Sequence, residues 1–287
     1  MFSDVLLTVD FDRTLTAPDS TVPERNIEAI RYFIDNGGAF TVNTGRSVPM
    51  AAKNIIGVVP VNVPLLLYNG SAAYDTKTGT LTQLCPIDLD RDSVIREVMA
   101  AFPDLNVEQQ GVDAHYLFQK NGIWEAFCDA QPCANQYGEL GQDYGPFLKL
   151  SLYGEIRDTT VAQFYEGTAE EMARMDEAVR WLKEKYGEKI EIFLAAPRII
   201  DIHAKGVSKL DAARKLQKTL GRKLLVCVGD AENDVPMLSG ADFAYCPADA
   251  ILADRFENVC NCAEGAVADV IYKKIPEILK NILDNLV

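Results

Sequence analysis

The chain has 287 residues, enough for two cores, with an ordinary soluble-protein composition and no low-complexity stretch or internal repeat. Its 42 acidic and 28 basic residues leave a net charge of −14, which repels DNA and RNA from most of the surface and excludes nucleic acid as a partner. No apolar run is long enough for a bilayer, and Met1-Phe2-Ser3-Asp4 lacks a basic start or cleavage site, so we expect no membrane span, no signal peptide and a cytoplasmic chain.

Val5-Leu6-Leu7-Thr8-Val9 is apolar and β-branched throughout, as a central parallel strand must be when both its faces are covered. A loop through Pro18 leads to a helix near Pro23 to Asn36, whose Ile27, Ile30, Phe33 and Ile34 form the buried stripe and which Gly37-Gly38 ends. Ala39 to Asn43 and Leu65 to Tyr68 read as further strands, and this strand–helix–strand order predicts a parallel α/β sheet.

From about Gln83 to Ala196 the texture changes. A helix over Asp92 to Phe102 is followed by strand candidates at Ala114 to Gln119, Ile123 to Cys128 and Phe147 to Tyr153. Another helix runs from Glu170 to Tyr186, with Thr168 and Glu171 as its capping box, and Ile190 to Leu194 closes the segment as a strand. After Pro197 the α/β rhythm returns with a strand over Ile199 to Ile202 and a helix that Ser208 caps and Gly221 ends. A strand over Leu224 to Val228 comes next, then a helical tail from Ala266 to Leu286 that Pro276 kinks or divides. The expected architecture is a Rossmann-like α/β core from residues 1–82 and 197–287 with an inserted α+β cap at 83–196. The links near Leu81–Pro86 and Ala195–Arg198 are the expected hinges for cap closure.

Seven cysteines (85, 128, 133, 227, 246, 260, 262) are scattered and odd in number, which reads as reduced thiols. Cys260-Asn261-Cys262 has no second pair and the chain only two histidines, so a zinc site is not expected. His115 and His203 sit in or near strand-like runs and read as structural.

Three motifs fall just beyond strand ends, where a parallel sheet places its ligand: Asp10-Phe11-Asp12-Arg13-Thr14, Thr44-Gly45-Arg46, and Gly229-Asp230 with Asn233-Asp234. Lys205-Gly206-Val207-Ser208-Lys209 adds cations at a helix start. Singly, each has an ordinary reading: a surface loop, a turn, a capped helix start, a solvated lysine. Together, in this order on one sheet edge, they describe a site. Converging carboxylates need a cation, and Mg²⁺ suits hard oxygen donors. Asp10 and Asp230 are its natural direct ligands, while Asp12 can reach it through its backbone carbonyl and keep its carboxyl for proton transfer. A carboxylate beside a bound phosphate can attack phosphorus, with Lys209 and the Thr44-Gly45-Arg46 loop stabilising the phosphoryl oxygens.

These motifs, with Asn69-Gly70-Ser71, resemble the haloacid dehalogenase superfamily over nearly the whole chain, and within it the Cof-type sugar phosphatases with a class IIB cap. The resemblance implies Asp10 as nucleophile and Asp12 as acid/base, with Thr44 and Lys209 on the phosphoryl group. It also implies Mg²⁺ held by Asp10, Asp12 and Asp230, supported by Asp234, with Asn233 close by. Arg13 stands where most relatives carry glycine, Leu210 follows Lys209 where glycine is usual, and Lys205 competes with Lys209 for the same role. In the cap, Glu125, Asp129, Lys149, Arg157 and Arg198 are candidates for facing substrate, each also readable as an ordinary surface charge. The expected partner is a small phosphorylated metabolite, the expected reaction hydrolysis of a sugar or polyol phosphate. A phosphosugar mutase and a non-catalytic phosphate sensor are the alternatives.

Overall fold

A computed structural model describes residues 1–119, 122–131 and 133–284. They form two compact units: Met1–Thr44, Gly57–Leu81 and the chain from Ser208 onward in the first, Gly45–Ile56 and Thr82–Val207 in the second.

The first unit is built on a five-stranded parallel sheet in the order Glu257–Val259, Phe243–Pro247, Leu224–Val228, Val5–Val9, Ala39–Val42. Val5–Val9 is buried along its whole length, which explains its unbroken apolar run. Strand register decides which motifs meet. Val9 lies opposite both Val228 and Val42, so Asp10, Asp230 and Thr44 leave the sheet at the same edge. The helix Glu24–Asp35 buries Ile27, Ile30 and Phe33, and the helix Lys209–Leu220 starts at Ser208 and ends at left-handed Gly221. Leu65–Leu67 meets the parallel sheet through a bridge, Asn43 with Leu66, and pairs antiparallel with Ala72–Asp75. The expected tail helix is divided by Pro276, in the turn that precedes it. A wide turn at Val270–Lys274 separates Ala266–Asp269 from Ile275–Asp284, because proline cannot donate to the carbonyl four residues back. The end of that tail reading, at Leu286, lies outside the described residues.

The second unit is a six-stranded sheet in the order Ile190–Ala196, Ile199–Ala204, Leu150–Tyr153, Asn106–Gln110, His115–Leu117, Asn135–Tyr137. One face is apolar: Val107, Leu150, Leu152, Ile200 and Ile202 pack with Val94, Ile95 and Val98 of the helix Arg91–Ala101 and Met175, Ala178 and Leu182 of the helix Ala169–Tyr186. The capping box forms as read, with Thr168 Oγ1 accepting from Glu171 N at 3.2 Å and Glu171 Oε2 accepting from Thr168 N at 2.7 Å.

Two readings are corrected. Ile123 to Cys128 is not a strand but part of the helix Gly122–Ala130, since Trp124, Phe127 and Cys128 recur at helical spacing to form one buried stripe. The strand Ile199–Ala204 does not return to the parallel sheet. It pairs antiparallel with Ile190–Ala196 and Leu150–Tyr153, so Ala195–Arg198 is the bend of a hairpin within the second unit and the passage back lies at Val207–Ser208. Among the described residues no helix is long and apolar enough to cross a membrane, and the cysteines form no disulfide.

Candidate active site in the first unit

Asp10 follows the central strand and its backbone N–H still donates to Val228 O at 2.9 Å, which fixes where its side chain begins. The next residues tighten into an irregular turn, Phe11–Leu15, in which Arg13 has φ 58°, ψ 8°. That is the left-handed region, costly for any residue with a Cβ and free for glycine. Arg13 meets this backbone demand with help from its N–H donating to Thr16 Oγ1 at 3.1 Å.

Asp230 leaves the neighbouring strand through Gly229, where a Cβ would come within 2.6 Å of Asp234 Cβ. Glycine is needed there because the chain folds back so that Asp234 Oδ2 can accept from the backbone N–H groups of Asp230 (3.0 Å) and Ala231 (3.2 Å). The other Asp234 oxygen, Oδ1, accepts from Lys209 Nζ at 2.6 Å, and the same ammonium donates to Asp10 Oδ1 at 2.5 Å. Thr14 Oγ1 donates to Asp230 Oδ1 at 3.2 Å, a contact that gives the Thr of the first motif a role sequence reading did not assign. Lys209 itself begins its helix, with its carbonyl accepting from Asn43 Nδ2 at 2.8 Å. Gly70, at φ 99°, lets the Asn69-Gly70 turn approach Ser208 O so closely that a Cβ would stand 2.4 Å from it.

The result is a buried cluster of Asp10, Asp230 and Asp234, with one oxygen of each within 4.8 Å of the others, around a single buried ammonium. Charge compensation is incomplete. Burial pushes the Asp10 carboxyl well above its usual range; Lys209 pulls it down, while Asp234, Asp230 and Asp12 push it further up. Burial and the Asp234 carboxylate push Asp230 up to about 7 against the pull of Lys209 and Thr14. Lys209 moves oppositely: burial disfavours its charge, but Asp10 and Asp234 outweigh this and raise it above the ordinary lysine value. Hard carboxylate oxygens facing one another with negative charge to spare suit a divalent cation.

Of the other sequence candidates, Thr44 is buried in the first unit, with its N–H donating to Leu66 O (2.9 Å) and its carbonyl accepting from Asn69 N (3.0 Å). Asp12 and Asn233 are half-buried in the turns that follow their strands. Gly45 and Arg46 belong to the second unit. Lys205 is exposed there and pairs with Glu191 at 3.2 Å, away from any carboxylate cluster. Lys149 and Arg198 are not surface charges. Lys149 is buried against Asp201 at 2.7 Å, and Arg198 is fully buried, bonded to Glu171 and to the carbonyls of Glu155 and Gln163 (both 3.0 Å). Arg157 is half-exposed and shares Glu171 at 2.5 Å, Glu125 is half-buried, and Asp129 is exposed.

Residues 7–266 match the family model of the haloacid dehalogenase-like hydrolases, and the chain belongs to that family. It is 25% identical over 234 residues to a Haemophilus influenzae protein provisionally named as a phosphatase, covering 81% of this chain and 80% of that one. It is 21% identical over 238 residues to the 5-amino-6-(5-phospho-D-ribitylamino)uracil phosphatase of Bacillus subtilis, covering 82% and 80%. In fold it is similar to a haloacid dehalogenase-like hydrolase of B. subtilis (TM-score 0.75, 19% identity, 93% of this chain and 99% of that one). A subclass IIB sugar phosphatase is also similar (TM-score 0.70, 15% identity, 93% and 97%). The fold is thus a haloacid dehalogenase core with an additional α+β cap.

Proposed function

We propose that this chain is a Mg²⁺-dependent phosphatase that hydrolyses small phosphate monoesters, sugar or polyol phosphates in particular, through an aspartyl-phosphate on Asp10. The observation that carries the reading is the under-compensated carboxylate cluster around Lys209, at the sheet edge of a hydrolase-family chain. For the substrate class, support comes from relatives named for a phosphoribitylamino-uracil and for sugar phosphates.

In this reading Asp10, Asp230 and the Asp12 carbonyl would hold the cation directly, with Asp234 orienting the Asp230 loop through its backbone bonds. Mg²⁺ supplies neutralisation of the phosphoryl oxygens when bound. Lys209 holds Asp10 Oδ1, which fixes the rotamer of the nucleophile. An Asp10 oxygen bonds to phosphorus as the ester P–O bond breaks, and the Asp12 carboxyl gives its proton to the departing alkoxide. Water then attacks the same phosphorus, returns a proton to Asp12 and frees Asp10. Thr44, Gly45, Arg46 and Asn233 are assigned to phosphoryl and substrate contacts.

The test is phosphate release from an aryl phosphate and a panel of sugar and polyol phosphates, with Mg²⁺ or with chelator. Wild type should turn over only with the metal, and Asp10→Asn should fall to background. Turnover that survives Asp10→Asn removes the nucleophile assignment.

A further inference from the structure

The second unit carries a buried polar network on the sheet face opposite its apolar core. Glu108 accepts from Tyr153 OH (2.8 Å) and Gln110 Nε2 (3.0 Å), and its Oε1 faces His115 Nδ1 at 3.0 Å. The other ring nitrogen, Nε2, lies 2.7 Å from Ser47 Oγ. Beside it, Asp201 pairs with Lys149 (2.7 Å) and accepts from Ser151 Oγ (2.8 Å), while Lys149 Nζ donates to Gly45 O at 3.1 Å.

A serine, histidine and glutamate in this order suggest a nucleophile and its base, but the serine rules that out. Ser47 is fully buried and its oxygen accepts from Met50 N at 3.4 Å, capping the helix Val48–Asn54. It holds backbone in place and has no access to an electrophile.

What sets the network apart is where it ends. Burying Glu108, His115, Lys149 and Asp201 strips water from each charged group, and an apolar sheet face would fold at least as well. Two free ends of the network reach Gly45 and Ser47, which flank Arg46 directly after Thr44. On the other side, Thr44 is anchored by the bonds to Leu66 and Asn69. Gly45 and Ser47, on either side of Arg46, are thus both held by side chains of the buried network, Lys149 and His115.

We propose that Lys149 and the Glu108–His115 pair are positioning residues for the Thr44-Gly45-Arg46 loop, acting through Gly45 O and Ser47 Oγ. The consequence for catalysis rests on the phosphatase reading above, in which this loop contacts the phosphoryl group; the restraint on the loop does not. Loosening it misplaces a group that binds the substrate before and during phosphoryl transfer, so KM rises more than kcat falls.

The experiment uses the full chain with Ser47→Ala, His115→Gln and the double variant. His115→Gln leaves the Ser47–Met50 cap in place, which separates the restraint from capping. Two readouts are taken: hydrogen exchange of the amides of residues 45–48 and 50 (Pro49 has none), and KM and kcat on an aryl phosphate with Mg²⁺. Each single variant should speed exchange at 45–50 about tenfold without altering exchange in strand 5–9, and raise KM about tenfold. The double variant should be no worse than the worse single one, because both break one chain of contacts. Unchanged exchange at 45–50, or effects that simply add, would overturn the proposal. If wild type shows no Asp10-dependent turnover, the phosphatase reading fails and exchange alone decides the clamp. If His115→Gln does not fold, Lys149→Gln, which also leaves the Ser47–Met50 cap in place, decides it by the same exchange readout.

Discussion

Asp230 offers the most direct measure of what the site costs the fold. Its carboxyl stands at about 7 against an ordinary 3.8, raised by burial and by Asp234. A pKa unit is worth about 1.4 kcal/mol, so ionising Asp230 in the folded chain carries a penalty of roughly 4 kcal/mol relative to the unfolded one. Below pH 3.8 both states are protonated and nothing is lost; stability then falls as pH rises and the full penalty is reached above about 7. Against a typical 5–15 kcal/mol of total stability this is a large share. Asp230→Asn keeps an oxygen for the Thr14 hydroxyl and abolishes the charge. In chelator, the variant should match wild type near pH 4 and exceed it by up to about 4 kcal/mol at pH 8, in urea unfolding followed by far-ultraviolet circular dichroism. With Mg²⁺, wild type should recover more than the variant. Equal stability of the two proteins at pH 8 in chelator would refute the reasoning.

Lys209→Met should strand the Asp10 and Asp234 carboxylates, costing about 3–5 kcal/mol in chelator. Its melting temperature should climb more steeply with added Mg²⁺ than that of wild type, and a flat response would count against a shared cation role. Gln109 is fully buried beside Val107 and Leu150, with neither amide atom hydrogen-bonded, so Gln109→Leu should stabilise the second unit by about 1–3 kcal/mol in tryptophan-monitored unfolding. His115 is opposed by burial, but Glu108 and Cys133 outweigh it and raise the ring from 6.5 to about 9. The stability it contributes is complete below pH 6.5 and lost as pH rises through 9, so the gap between wild type and His115→Gln should shrink by roughly 3 kcal/mol between pH 6 and 10. A constant gap would show that the pair is not ionic.

The first unit was legible because its central strands are apolar on both faces and its carboxylates follow them directly. Val5–Val9 and Leu224–Val228 announce themselves by composition, and their register carries Asp10 and Asp230 to one edge. Motif position put Lys209 ahead of Lys205, and the contacts agree: the Lys209 ammonium meets Asp10 while that of Lys205 meets Glu191. The second unit hid its architecture in polar residues. Asn106–Gln110 is a fully buried strand spelled Asn-Val-Glu-Gln-Gln, which no hydrophobic period reveals because Asn106, Glu108 and Gln110 find partners inside the sheet, in one another, in His115 and Tyr153 and in the Gly154 carbonyl. Gly122–Ala130 was lost differently: in so short an apolar run, helical and strand spacing are hard to separate. Arg198 sits in a hairpin bend, where a charge usually meets solvent, yet Glu171 and two carbonyls draw it inward.

The passage of the chain from Thr44 to Gly45 bears on how such proteins can be recombined. The second unit is not one continuous insert, since the short helix Val48–Asn54 belongs to it although it is encoded far upstream. A chimaera that exchanges only residues 82–207 would separate Lys149 and His115 from Gly45 and Ser47. The portable module is therefore the pair of segments, 45–56 with 82–207.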